Sequence, residues 1–116
     1  MTYWQMRGNK YHSKTCEYGG NIYHSMFEAS YAKELDLRVK AKDIKSWDRQ
    51  VPLHLYVNGH KICTYTIDFV VHENDGSRTY VECKGFETRD WALKWKLAEA
   101  LLGDIDPDGT LLLVKQ

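Results

Sequence analysis

Three residues whose types could do chemistry together sit in two neighbouring apolar segments. Asp68 lies within Thr66-Ile67-Asp68-Phe69-Val70-Val71, and Glu82-Cys83-Lys84 follows after a turn. Each segment reads as a strand, rich in β-branched and aromatic residues. Charge inside such a pattern calls for a reason. Two carboxylates and a lysine on one sheet point to a divalent-metal site for phosphodiester hydrolysis. Mg²⁺ or Mn²⁺ prefers oxygen ligands. Asp68 and Glu82 would hold it, with the main-chain carbonyl of Cys83 as a third ligand, and Lys84 would orient the attacking water and stabilise added negative charge. The bland alternative is two surface acids and a solvated salt bridge.

Whether the three meet depends on the turn between them. Side chains alternate along a strand, so Glu82 and Lys84 share a face while Cys83 turns away as a small core hydrophobe. A two-residue loop at Asp75-Gly76 pairs position 68 with Cys83 and sends Asp68 to the wrong face. A three-residue loop, Asp75-Gly76-Ser77, pairs it with Lys84 and gathers all three charges; a β-bulge restores the same parity.

The elements that must position these residues can be read in order. Residues 1–24 are polar and aromatic with Gly8, Gly19 and Gly20, an arm or short hairpin. Ser25-Met26-Phe27-Glu28 matches a capping box, and Phe27, Tyr31, Leu35 and Val39 carry helical spacing to about residue 42. Glu28 has two readings, the capping partner of Ser25 or an acid reaching the metal site, and a carboxylate can do both. Ser46 to Val57 reads as the first strand of a meander, with Pro52 marking an edge or bulge. Asn58-Gly59 is a hairpin signal. Lys61 to Glu73 and Arg78 to Lys84 are the next strands. Trp91, Trp95, Ala98 and Leu102 mark the apolar face of a second helix from about Thr88 to Leu102. Residues 103–109 form a loop, and Thr110 to Val114 a short buried strand. The result is an α/β chain of the α+β mixed-sheet kind: helix, three strands, helix, strand.

Composition limits the rest. The chain has 116 residues, one small domain's worth. No apolar run approaches the ~18 residues needed to span a membrane, and the start lacks a signal-peptide layout, so a cytosolic protein is expected. Cys16, Cys63 and Cys83 are odd in number and far apart, against a disulfide framework, and no CxxC or HxxxH spacing supports zinc. Sixteen basic residues balance sixteen acidic ones, which does not advertise a nucleic-acid binder. Basic residues still cluster, with Lys10 and Lys14 in the early segment and Arg89, Lys94 and Lys96 on the second helix. Either group could face phosphates or serve as solvated surface.

Taken together, the helix-one acid, Asp-Phe on the second strand, Glu-x-Lys-Gly on the third and the following lysine-bearing helix resemble the PD-(D/E)xK nuclease superfamily. The likeness runs from about Lys10 to Leu102. It is narrower toward small phage-encoded proteins with a Tyr-rich, glycine-containing lead-in (Tyr18-Gly19-Gly20) and Ser-x-x-Glu-Ala (Ser25 to Ala29), relatives of which include endonuclease I-like and archaeal-type Holliday junction resolvases. The resemblance implies a restriction-endonuclease-like α-β-β-β-α-β core over a single nuclease domain, residues 1–116. It implies Asp68 and Glu82 as Mg²⁺ or Mn²⁺ ligands, Lys84 as the catalytic lysine and Glu28 as the helix-one acid supporting a metal or water. Gln50 falls at a polar first-strand position, and Lys94 and Lys96 fall where some relatives contact DNA. Ile67 replaces the proline that names the motif. The implied protein is a homodimeric endonuclease for branched DNA, in the host cytoplasm if phage-encoded. A nicking, repair or restriction-type nuclease, or a non-catalytic nucleic-acid-binding module on a nuclease fold, are the competing readings.

Overall fold

The computed structural model describes residues 15–116. Among them run β1 (Cys16–Tyr18), β2 (Asn21–Tyr23), α1 (Met26–Lys40), β3 (Ser46–Val57), β4 (His60–His72), β5 (Arg78–Lys84), α2 (Arg89–Ile105) and β6 (Gly109–Lys115). From α1 onward this is the expected order of a mixed α+β chain. Lys10 and Lys14 lie outside the described residues, as does most of the expected N-terminal arm. The chain divides into two compact units, one reaching Arg38 and one running from Val39 to Gln116.

In the N-terminal unit β1 and β2 form an antiparallel hairpin with Tyr18 opposite Asn21. Its two turn residues, Gly19 and Gly20, both have positive φ (60° and 84°), the backbone that a two-residue hairpin turn demands and that glycine adopts without steric cost. The Tyr18 hydroxyl donates to Asp36 on α1 at 2.5 Å, which raises the phenol's pKa. Ser25 caps α1 as expected: its hydroxyl accepts the Glu28 amide N–H at 3.1 Å. The most buried side chains of α1 are Ala29, Ala32 and Leu35, while Phe27, Tyr31 and Val39 are half-buried.

The C-terminal unit is a four-stranded sheet in the order β3-β4-β5-β6. β3, β4 and β5 run antiparallel, and β6 pairs parallel with β5. A parallel pair needs a long crossover, and α2 supplies it. Among the described residues β3 is an edge strand, consistent with Pro52, which has no amide hydrogen to donate. Asn58 and Gly59 take φ of 52° and 80°, a tight turn of the type their sequence signals. Just beyond it the register slips: Leu55 faces Cys63 but Tyr56 faces Lys61, leaving Ile62 as the extra residue of a bulge.

A second irregularity sits mid-strand. Strict alternation would put Ile67 and Val70 on opposite faces. Both instead join the core beneath α2, with Leu53, Leu55, Tyr65, Tyr80, Trp91, Ala98 and Leu102. β4 therefore switches the face it offers to α2 between these residues. Phe69 and Val71 are buried on the far side, where Trp47 packs edge-on against Phe69 at 5.6 Å. The switch coincides with Gln50, which has φ of 52°. Arg49 faces Phe69 and Val51 faces Ile67, so Gln50 stands opposite Asp68. A non-glycine residue in the left-handed region costs roughly 1–3 kcal/mol and persists only where surroundings over-determine it.

Thr88 caps α2, its hydroxyl accepting the Trp91 amide N–H at 3.1 Å. The helix runs three residues past the expected Leu102, through Gly103, and stops at Asp106. The sequence could not show why: Asp106 is drawn into a buried network. Arg78 grips its two oxygens through Nε and a terminal nitrogen (2.5 and 2.7 Å), and Tyr80 donates its hydroxyl at 2.7 Å. The paired guanidinium holds the Asp106 carboxyl well below the usual carboxylate range.

Candidate active site

The site forms where β4 and β5 stop pairing as strands. Their ladder runs from His72 opposite Arg78 to Phe69 opposite Val81, and the same register puts Asp68 opposite Glu82. The connection is three residues long, the odd length that the gathering of charges requires. It begins one residue earlier than expected. Glu73 donates its amide to the Ser77 carbonyl (2.9 Å), and Asp75 accepts both the amide and the hydroxyl of Ser77 (2.9 and 2.6 Å). The loop is thus Asn74-Asp75-Gly76, with Gly76 at φ of 92°, and the partner of Asp68 is Glu82 rather than Lys84. The common face survives, because the shift preserves parity.

Beyond Phe69, side chains replace the ladder. The Asp68 amide donates to Glu82 Oε1 at 3.3 Å, and the Cys83 amide donates to Asp68 Oδ2 at 2.9 Å. Each acid is held by the main chain of the other's strand. From the opposite side, Gln50 Nε2 donates to Asp68 Oδ1 at 3.5 Å, at the limit of hydrogen-bond reach. Lys84 Nζ stands 3.8 Å from Glu82 Oε2. Asp68, Glu82, Lys84 and Gln50 are thereby brought together by three adjacent strands.

Burial makes this pair uncomfortable when charged. Glu82 is only 4% exposed. Its carboxyl is pushed up to about 7, first by burial and then by the nearby Asp68, against the opposing pull of Lys84. Asp68 is also raised, chiefly by burial, with the Cys83 amide and Lys84 acting the other way. Two desolvated carboxylates with one ammonium nearby are under-neutralised, an arrangement that suits an added cation. The described residues offer two carboxylates here, not a cluster of three His, Cys, Asp or Glu side chains. Two suffice for Mg²⁺, which usually keeps several waters and binds through one or two carboxylates plus substrate phosphate. The donor set fits a hard divalent cation.

The other sequence-derived candidates fall elsewhere. The Cys83 side chain is buried, as expected of a core residue. Glu28 occupies the first turn of α1, in the N-terminal unit. Arg89 opens α2 and is exposed. Lys94 and Lys96, also exposed, border an apolar groove of about 590 Å³ floored by Ile62, Cys63, Leu93 and Leu97.

Two contributors were not legible as site residues. Trp91 Nε1 donates to both the Tyr65 hydroxyl (3.0 Å) and Glu82 Oε2 (3.1 Å), and Lys84 Nζ lies 5.0 Å from the Trp91 ring centroid. Tyr65 also hydrogen-bonds Glu82, and burial beside that carboxylate drives the phenol's pKa upward. Their apolar spacing marks both as core, which they are. The available signal was polar: a buried indole N–H or phenol O–H needs a partner, and the nearest acid in the neighbouring strand was Glu82.

No helix among the described residues is long and apolar enough to cross a membrane. A family profile described as "Protein of unknown function (DUF1064)" matches residues 8–107, and the chain belongs to that family. No curated protein matches it.

Proposed function

We propose that this DUF1064 chain is a divalent-metal-dependent endodeoxyribonuclease on the PD-(D/E)xK plan. Its centre is Asp68 and Glu82 with Mg²⁺ or Mn²⁺, and Lys84 is its catalytic lysine. The observation that carries the reading is the meeting of Asp68, Glu82 and Lys84 where the β4–β5 ladder ends, with both acids desolvated and raised. Surface charges of no consequence would sit in water, unshifted. When bound, the cation supplies a Lewis acid for the scissile phosphate and a water of lowered pKa.

The chain's own residues do the remaining work. Asp68 and Glu82 hold their oxygens forward because each is fixed by an opposing main-chain amide. The Cys83 carbonyl is the further ligand proposed. Lys84 presents an ammonium beside the site, where it steers a water toward phosphorus and stabilises the charge that develops on the phosphoryl oxygens. The water oxygen bonds to phosphorus, one bond from phosphorus to a sugar oxygen breaks, and that oxygen leaves with a proton. The finer proposal, resting on the resemblance, is a cytosolic homodimer that cuts branched DNA, two active sites serving two strands.

Incubation with Mg²⁺ and a four-way junction, a flap and a linear duplex tests both levels. We expect cleavage by the wild type and a loss of at least about 10²–10³-fold in Asp68→Ala, the scale for removing a principal charge-stabilising group. A well-folded wild type that cuts none of the three overturns the enzyme reading. Equal cutting of plain duplex overturns the junction preference.

A further inference from the structure

We propose that Trp91 is the positioning residue of the acid–lysine pair: its indole N–H fixes the Glu82 carboxylate while its ring face holds the Lys84 ammonium. This rests on the metal-site reading above and deepens it. One α2 side chain touches both groups, 3.1 Å from Glu82 Oε2 and 5.0 Å from Lys84 Nζ to the ring centroid. The direct Lys84–Glu82 approach is 3.8 Å, too long for a hydrogen bond, so that contact alone does not place the lysine. Tryptophan is the best aromatic partner for a cation.

Trp91 is itself firmly held. Its amide is tied to the Thr88 cap, its ring stacks on Trp95 at 5.7 Å, and it is 8% exposed. Packing alone asks less of it. A buried indole needs one acceptor, and the Tyr65 hydroxyl at 3.0 Å already provides that. The second acceptor and the overlying lysine link the helix to the chemistry. Through this residue the first turn of α2 sets the separation of Glu82 and Lys84.

Calorimetric titration with Mn²⁺ tests the inference without relying on turnover. Trp91→Phe keeps a ring face and deletes the N–H. It is expected to weaken Mn²⁺ binding about 10–100-fold, as removal of a ligand's hydrogen-bond partner typically does. Trp91→Leu, lacking the ring as well, is expected to lower cleavage further. Trp47→Phe, an indole lost from the far face of the sheet, is expected to bind Mn²⁺ like the wild type. Folded Trp91→Phe that binds Mn²⁺ as tightly as the wild type overturns this inference alone. A wild type that takes up no Mn²⁺ overturns the metal-site reading and this inference with it. Should Trp91→Phe not fold, the wild type carries the test. One of the four indole N–H resonances is expected to shift both on adding Mg²⁺ and on Tyr65→Phe; if no single resonance does both, the inference fails.

Discussion

Glu82 carries the most consequential charge in the molecule, because it is nearly buried and shares its surroundings with Asp68. Its carboxyl is raised from 4.5 to about 7, so the folded state prefers it protonated. That preference stabilises the metal-free protein fully below about pH 4.5 and is lost as pH rises through about 7. Glu82→Gln keeps the shape and removes the ionisation. In urea melts without divalent cation, the wild type is expected to lose about 1–3 kcal/mol relative to Glu82→Gln between about pH 4.5 and pH 8. Mg²⁺ at about pH 8 is expected to recover much of that loss in the wild type and none of it in the variant. A difference that stays flat across this range would show that Glu82 is solvated and the pair ordinary. The sequence made Asp68, Glu82 and Lys84 legible because charge inside an apolar strand is conspicuous. It hid Trp91 and Tyr65 because a residue that packs with one end and hydrogen-bonds with the other looks apolar to a periodicity argument.

At the scale of elements, the site exists because two strands stop behaving as strands. β4 changes face at Asp68, β3 takes a left-handed residue at Gln50 directly across from it, and side chains satisfy the amides that the ladder abandons. If Gln50 is held against its preference, Gln50→Gly is expected to leave stability unchanged or raise it by up to about 1 kcal/mol. Gln50→Val, β-branched and least tolerant of positive φ, is expected to cost about 1–3 kcal/mol. Chemical denaturation of both variants checks this; equal stabilities would show that the backbone relaxes there at no cost. Strand bounds were readable to within a residue or so, and β3 and β5 to the residue, because Asn58-Gly59 and Asn74 to Ser77 punctuate them. The hairpin parity was readable only as a condition. Which three residues form the loop depends on Asp75 bonding Ser77 and Glu73 pairing with it, a local competition that alternation does not resolve.

For the whole molecule, the sheet, α2 and β6 are joined away from the site by Asp106, which takes Arg78 and Tyr80 from β5. Burial and the Asp106 bond push the Tyr80 hydroxyl up to about 12, so it stays a donor at any ordinary pH. Asp106→Asn leaves the Arg78 guanidinium without its carboxylate, and a fall of several degrees in melting temperature is expected, with Mn²⁺ affinity unchanged because the Asp106 carboxylate bonds Arg78, Tyr80 and the Asp108 amide rather than Glu82. Thermal melts and the same calorimetry separate the two effects; unaltered stability would make the network incidental. Gly109 belongs to this junction, since a Cβ there would sit 2.8 Å from the Tyr80 ring. The element order was legible because each turn and cap is written locally. Asp106 was not, since its partners lie 28 and 26 residues away and an acid between a helix and a strand reads as a loop residue. The long edge strand β3 has a separate consequence. An unbroken edge of this length would invite another chain to add on and begin aggregation. The left-handed Gln50 and Pro52, which has no amide hydrogen, interrupt it in succession. The irregularity that builds the site also breaks up the exposed ladder that such an addition would need.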